Sequence, residues 1–376
     1  MRQFAIKIFL LLVPVLLIYG FPVVVLVTSG ELLPLFFVTL IQNNNRPFLF
    51  GLAYSNPVNS YKLQSANLRE PQVLALGTSR VMQFRGAFFR NPEVFYNAGG
   101  TYARFDEFRI FLSKLDYAPK VVIVGVDQYF FNDNWRRTVP ATYDTIDISD
   151  KRDFLGIITT FYNHIYSDYK EGKFTLSDLF QHSIRKKIGL QAIANDAGFR
   201  NDGSYDYGKT IREDRFREVF NRIASRTKQF QRGEGVSLNA LRELEDLLDL
   251  CFKKNIHVVG FLPPYPHAIW KKMMLAADDF DYMRHISGQV KPLFDRYAFS
   301  FFDFSDLADL GAADNETIDG VHCSETAYLR IFIQMQRVDK RLQAYSLEET
   351  DLTTRLDNRA PPSTDTTSIF TYTQKG

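Results

Sequence analysis

Cysteine is nearly absent: Cys251 and Cys323 are the two thiols in 376 residues. That excludes a disulfide-stapled scaffold and leaves no CxxC pair for a zinc cage. The two could pair once, but both sit beside apolar stretches and read as buried free thiols. Histidine is sparse as well. His164, His182, His267 and His285 are scattered without ligand spacing, and His257 reads as a core or edge residue, so neither a metal site nor a cofactor is expected. An excess of one charge is also missing. The 45 basic and 43 acidic residues leave a net +2, which gives no electrostatic footprint for nucleic acid. No internal repeat is visible. Apolar residues are plentiful, at 45% of the chain with 15% aromatic, enough for a full core and too many for a disordered protein.

The apolar residues are unevenly spread. Residues 8–28 carry no charge over 21 positions, the length of one transmembrane helix. Arg2, Lys7 and the amino terminus precede this run and Glu31 follows it, so the positive-inside rule sends the rest of the chain across the membrane. A cleaved signal peptide is the competing reading, with Thr28, Ser29 and Gly30 as small residues at a cut. Signal cores are shorter, however, and a second apolar run from Leu32 to Ile41 continues past that site. The sequence therefore predicts a retained anchor over 1–41, with 32–41 at the outer interface. Residues 42–71 read as a polar stalk.

From residue 72 a strand–helix alternation begins. Gln72–Leu76, Val94–Tyr96 and the β-branched run Val121–Val126 read as strands, with a helix over Ala103–Leu115. After an interruption, Leu238–Phe252 reads as a helix, His257–Leu262 as a strand, Ala276–Tyr297 as a helix and Phe299–Phe304 as a strand. Ser324–Ala344, with Ser324 as N-cap, closes the domain. This order predicts an α/β fold: a parallel sheet covered on both faces, its functional edge at the carboxyl ends of the strands. The domain is placed at 72–346. Within it, residues 130–235 break the rhythm and read as an insertion of mixed charge, with helices near 174–193 and 211–231. The tail 347–376 is rich in Thr, Asp and Pro and reads as disordered.

Several residues fall on the predicted edge. Gly77-Thr78-Ser79-Arg80 follows the first strand, where a serine hydroxyl and fresh helix amides can meet a substrate. The competing reading is a simple helix cap. Asp319-Gly320-Val321-His322 is the only Asp-x-x-His in the chain and lies between the last strand and the last helix. A serine nucleophile needs a base, and the base needs an acceptor to fix its tautomer; His322 and Asp319 suit these roles. Asn97-Ala98-Gly99-Gly100 ends the second strand, either as an oxyanion-binding turn or as an ordinary one. Asp127-Gln128 ends the third, where Asp127 can reach Arg80. The aromatic run Tyr129-Phe130-Phe131 with Trp135 reads as packing under the insertion, with a sugar-stacking platform as the alternative. Pro263-Pro264-Tyr265-Pro266 forms a rigid loop at the same edge.

Ser79, the Gly99-Gly100 turn, and Asp319 with His322, in this order over about residues 72–342, resemble the SGNH/GDSL hydrolase superfamily. The resemblance implies a three-layer sandwich, a Ser79–His322–Asp319 triad, and oxyanion donors from Ser79 and Gly100 or Gly99. The chain departs from that pattern where the family has an oxyanion asparagine: Asp127 and Gln128 stand there. The Gly-Thr-Ser-Arg block, that aspartate and the N-terminal anchor look like the membrane-anchored proteins of envelope O-acylation, of the alginate O-acetyltransferase and D-alanyl-lipoteichoic acid transfer types. The resemblance implies acyl esters of extracytoplasmic glycans as substrates and a polytopic membrane acyltransferase as partner. A non-catalytic scaffold that binds a glycan or a membrane partner, and a lipase-like esterase, are the alternatives.

Overall fold

The computed structural model describes residues 2–44, 47–100, 102–139, 143–175, 177, 186–208 and 216–358; the side chains of residues 2, 5, 15–19 and 277 lie outside the described set. The chain divides into two compact units.

The first unit comprises residues 1–57, 149–201 and 206–210. Helix α1 (Arg2–Thr28) and α2 (Leu35–Gln42) occupy the apolar runs read from the sequence. Residues 15–19 fall inside the predicted span 8–28 and outside the described side chains. Among the described residues, no helix is long and apolar enough to cross a membrane. Phe4, Phe9, Leu10 and Leu11 of α1 are exposed, whereas Val25 and Leu26 pack with Ile157 and Phe161 of a later helix. On α2, Leu35 and Val38 are buried and Phe36, Phe37 and Leu40 face outward.

Two-residue strands β1 (Leu49–Phe50), β5 (Lys187–Ile188), β6 (Gly198–Phe199) and β7 (Tyr205–Asp206) form a small sheet in the order β5-β1-β6-β7. Buried Glu31 fastens the unit. One carboxylate oxygen accepts the Ala53 N–H at 2.9 Å and the Leu190 N–H at 2.8 Å. Burial pushes this carboxyl's pKa up against the pull of those N–H groups and of Arg152.

In the second unit (58–148, 202–205 and 211–376), β2 (Val73–Leu76), β3 (Phe95–Asn97), β4 (Val121–Gly125), β8 (His257–Leu262) and β9 (Ser300–Asp303) form one parallel sheet in the order β3-β2-β4-β8-β9. Alternation of side chains along buried strands fills two cores. Leu74, Leu76, Val122 and Val124 join one core with α4 (Phe105–Ser113), α8 (Leu238–Lys253) and α10 (Ala277–Arg296). Val73, Ala75, Val121 and Ile123 join the other with α11 (Glu325–Val338), capped by Ser324. Cys251 and Cys323 are free thiols in opposite cores. The first strand of this sheet, β2, lies between the second and the third, so the connections diverge at the ends of β2 and β4. Such a switch point opens a crevice at the carboxyl edge.

Three stretches differ from their sequence reading. The supposed stalk 42–71 contains β1 and helix α3 (Val58–Arg69), whose Tyr61, Leu63 and Ala66 are core residues. Its polar composition hid the burial, because Lys62 is itself fully enclosed. The stretch 130–235 is not one insertion. Residues 149–201, including α5 (Phe154–Lys170) and α6 (Leu190–Asn195), fold with the amino-terminal segment, while α7 (Arg217–Ser225) belongs to the sheet-bearing unit. Of the helix read near 174–193, residues 176 and 178–185 lie outside the described set, while Lys187–Ile188 form β5 and α6 begins only at Leu190; residues 211–215 of the helix read near 211–231 also lie outside it. The tail begins with helix α12 (Glu349–Asp357), anchored by fully buried Leu352; residues 359–376 lie outside the described set.

Candidate active site

Ser79 opens a single 3-10 turn, Ser79–Val81, directly after β2. Thr78 caps it, its hydroxyl oxygen accepting the Arg80 N–H at 3.2 Å. The turn is seated by Val81, which lies among three glycines that end or follow consecutive strands. A Cβ added at Gly77, Gly99 or Gly125 would stand 2.2–2.4 Å from a Val81 methyl, so only glycine fits at each.

The residue after the serine is anchored just as firmly. Arg80 Nη1 donates to Asp127 Oδ1 and to Gln128 Oε1, both at 2.8 Å, and Nη2 donates to the Pro263 and Pro264 carbonyls at 2.8 and 2.9 Å. Its guanidinium lies 4.0 Å from the Tyr265 ring centre. Thr78 Oγ1 donates to the other Asp127 oxygen at 2.7 Å, and Tyr328 Oη donates to the Arg80 carbonyl. The Arg80 and Asp127 side chains are 1% and 0% exposed. Burial opposes the Arg80 charge, but Tyr265 and Asp127 outweigh it and raise the guanidinium's pKa. Burial also pushes the Asp127 carboxyl up, against the pull of Arg80 and Thr78.

His322 returns to this edge on the loop before α11. Its Nε2 lies 2.8 Å from Ser79 Oγ, and its Nδ1 lies 2.8 Å from Asp319 Oδ2. Asp319 Oδ1 also accepts the N–H groups of Val321 and His322, each at 2.7 Å, which holds the four-residue loop closed. Partial burial works to raise the Asp319 carboxyl, but the His322 bond and charge and the two N–H groups hold it below the usual carboxylate range. With Nδ1–H donated to that carboxylate, the Nε2 lone pair is left to accept the Ser79 hydroxyl proton. Helix α7 supports the loop from outside, since Val219 fills the space a Cβ on Gly320 would need.

The oxyanion residues read from the sequence are arranged differently. The Gly99 N–H donates to Asn97 Oδ1 at 3.0 Å and the Gly100 N–H to the Gly77 carbonyl at 3.1 Å, so neither is free for a substrate. Asn97 is a brace: its Nδ2 donates to the carbonyls of Val81 and Phe84, while Lys62 Nζ donates to its own carbonyl at 2.8 Å. Asp127, Gln128 and Arg80 are likewise buried in mutual bonds and offer nothing to a substrate. The Ser79 N–H has no acceptor among the described residues and adjoins the Ser79 hydroxyl.

Phe130 and Phe131 are fully buried in the core and Tyr129 packs edge-on to Trp135, an arrangement for packing rather than a stacking platform. Burial pushes the Cys323 thiol up to about 12, which leaves it inert beside His322. Among the described residues no group of His, Cys, Asp and Glu is placed to hold a metal ion. A cavity of about 380 Å³ lies in the first unit, among Tyr54, Asp168, Lys173 and Gln191, and none of the triad lines it.

Sequence reasoning placed Thr78 as a candidate cap, which it is, and missed Val81, Lys62 and Tyr328. A glycine at the end of three strands was the one available sign of the Val81 seat; nothing in the sequence pointed to Lys62 or Tyr328. The chain matches no protein-family model, no curated protein and no solved structure. Chemically, the arrangement is a serine hydroxyl, a base with a fixed tautomer and one oxyanion donor, suited to attack on an acyl carbonyl.

Proposed function

We propose that the chain is an SGNH-like serine esterase or O-acyltransferase, acting on acyl esters of extracytoplasmic glycans and held at a membrane by α1. The observation that carries this reading is the Ser79–His322–Asp319 chain of 2.8 Å contacts at the switch-point edge. Ser79 Oγ attacks the ester carbonyl as its proton passes to His322 Nε2. The Ser79 N–H holds the oxyanion, and collapse of the tetrahedral adduct expels the alcohol, which takes the proton. Water or a sugar hydroxyl then repeats the sequence on acyl-Ser79, returning the acyl group to solvent or to a glycan. A polytopic membrane acyltransferase is the expected source of acyl groups.

Two features support the anchor. The described side chains at the start of α1 are largely exposed apolar groups with no protein cover. Val25 and Leu26 belong to a core, so a cut near residues 28–30 would remove part of the folded protein.

The occupied amides of Gly99 and Gly100 favour a second reading, a scaffold that retains the triad but binds without turnover. One oxyanion donor is worth about 3–4 kcal/mol, so a site with a single donor hydrolyses slowly. Labelling by a fluorophosphonate probe separates the readings. The full chain in detergent is expected to label at Ser79, and Ser79→Ala and His322→Ala are expected to abolish it. A folded wild-type chain that takes no label sinks the enzyme reading.

A further inference from the structure

A second histidine–carboxylate pair stands on the same edge of the sheet. His267 opens helix α9 (His267–Leu275), just past the proline loop that follows β8. Its Nδ1 lies 2.9 Å and 3.1 Å from the two oxygens of Asp306, which follows β9. The pairing is built in. Tyr265 bridges Asp306 in parallel register, Asp306 Oδ1 also accepts the Ala308 N–H at 3.0 Å, and Asp314 accepts the His267 and Ala268 N–H groups at 2.6 and 3.1 Å. The side chain of Asp306 is 14% exposed and that of His267 is 50% exposed. With Nδ1–H directed at Asp306, the lone pair on Nε2 of this half-exposed ring is left without a partner among the described residues.

The location ties this pair to the triad. The Pro264 carbonyl receives Arg80 Nη2 at 2.9 Å and Cys323 Sγ at 3.4 Å, the residues that follow the serine and the histidine of the triad. His267 is three residues beyond Pro264, so their Cα atoms are at most about 11 Å apart. Asp314, which fixes the His267 backbone, is on the loop that leads to Asp319.

Resting on the acyl-Ser79 reading, we infer that His267, oriented by Asp306, binds the acyl acceptor: its Nε2 accepts a hydrogen bond from one hydroxyl of a polyhydroxylated acceptor while another hydroxyl attacks acyl-Ser79. In that attack the new ester bond forms as the bond to Ser79 Oγ breaks, and the acceptor's proton passes through His322 Nε2 to Ser79 Oγ. His267 takes no part in the proton transfer; it selects a sugar or polyol over water and simple alcohols.

The test uses the full chain with p-nitrophenyl acetate as donor. The nitrophenol burst reports acylation, and the acetylated products report partition between water, methanol and cellobiose. Wild type is expected to favour cellobiose over methanol. His267→Gln is expected to keep the burst and the methanol partition but to lower the cellobiose partition by about tenfold, the worth of one well-placed hydrogen bond. Equal loss toward both acceptors, an unchanged cellobiose partition in the variant, or a wild-type chain without preference for cellobiose overturns the inference while leaving the Ser79 reading intact. A wild-type chain with no burst overturns both.

Discussion

At the scale of single residues, the site separates partly exposed groups from the enclosed groups that hold them. Ser79 and His322 are only partly buried, whereas Arg80 and Asp127 are enclosed and spend their hydrogen bonds on each other and on the loop after β8. The Asp-Gln dipeptide where the resembled family has an asparagine is therefore a brace beneath the serine turn and not an altered oxyanion donor. Asp319 is the residue whose role is most directly measured. Asp319→Asn is expected to keep the fold and lower kcat by roughly 10³–10⁴-fold, because the amide favours the wrong imidazole tautomer.

The same substitution has a pH signature. Since the Asp319 carboxyl is held low in the folded chain, its stabilising contribution is complete above the ordinary carboxylate range and is lost as pH falls through the lowered folded value. Denaturant melts of wild type and variant are expected to differ by a constant amount above about pH 5 and to converge in stronger acid. With 41% of that side chain exposed, solvent screening keeps the difference small. A gap that widens in acid would contradict the assignment.

At the scale of elements, the serine turn depends on strand ends more than on the turn itself. Val81 wedges into a socket where Gly77, Gly99 and Gly125 meet. Gly99→Ala would put a Cβ 2.2 Å from a Val81 methyl and is expected to destabilise the chain by about 1–3 kcal/mol. Because Val81 is two residues from Ser79, probe labelling should slow as well. Gly288→Ala is the control: an added Cβ there meets nothing within 4 Å on an exposed face of α10, and it should stabilise by about 0.5–1 kcal/mol. Equal effects of the two changes, read by thermal melts, would rule out the socket.

At the scale of the whole molecule, the amino-terminal segment has two tasks divided along α1. Its first part exposes apolar side chains, and its last turns complete the core of the first unit through Val25 and Leu26. Deleting residues 2–20 is expected to release the chain from liposomes in a flotation assay while α5 stays protected in hydrogen exchange. Deleting 2–28 should remove that protection too, at a cost of about 2–5 kcal/mol to the first unit. Continued flotation of the shorter deletion would move membrane binding elsewhere, with α2 and its outward Phe36 and Phe37 the first place to look.

Sequence alone determined the α/β class and the parallel sheet, because strands buried on both faces must be written as continuous apolar runs such as Val121–Val126, and helices as the spaced leucines of 238–252. It also singled out Ser79, Asp319 and His322, which the fold brings into one chain of 2.8 Å contacts. The tertiary structure decided what local pattern does not encode. Whether an amide is free depends on which carbonyl lies opposite, so Gly99 and Gly100 read as donors and proved to be bonded to Asn97 and Gly77. Burial of polar α3, and the folding of residues 149–201 with the amino terminus, rest on contacts between segments far apart in the chain, such as Glu31 with Leu190. The energy of such contacts lies in pairs rather than in either residue, and a single sequence displays residues one at a time.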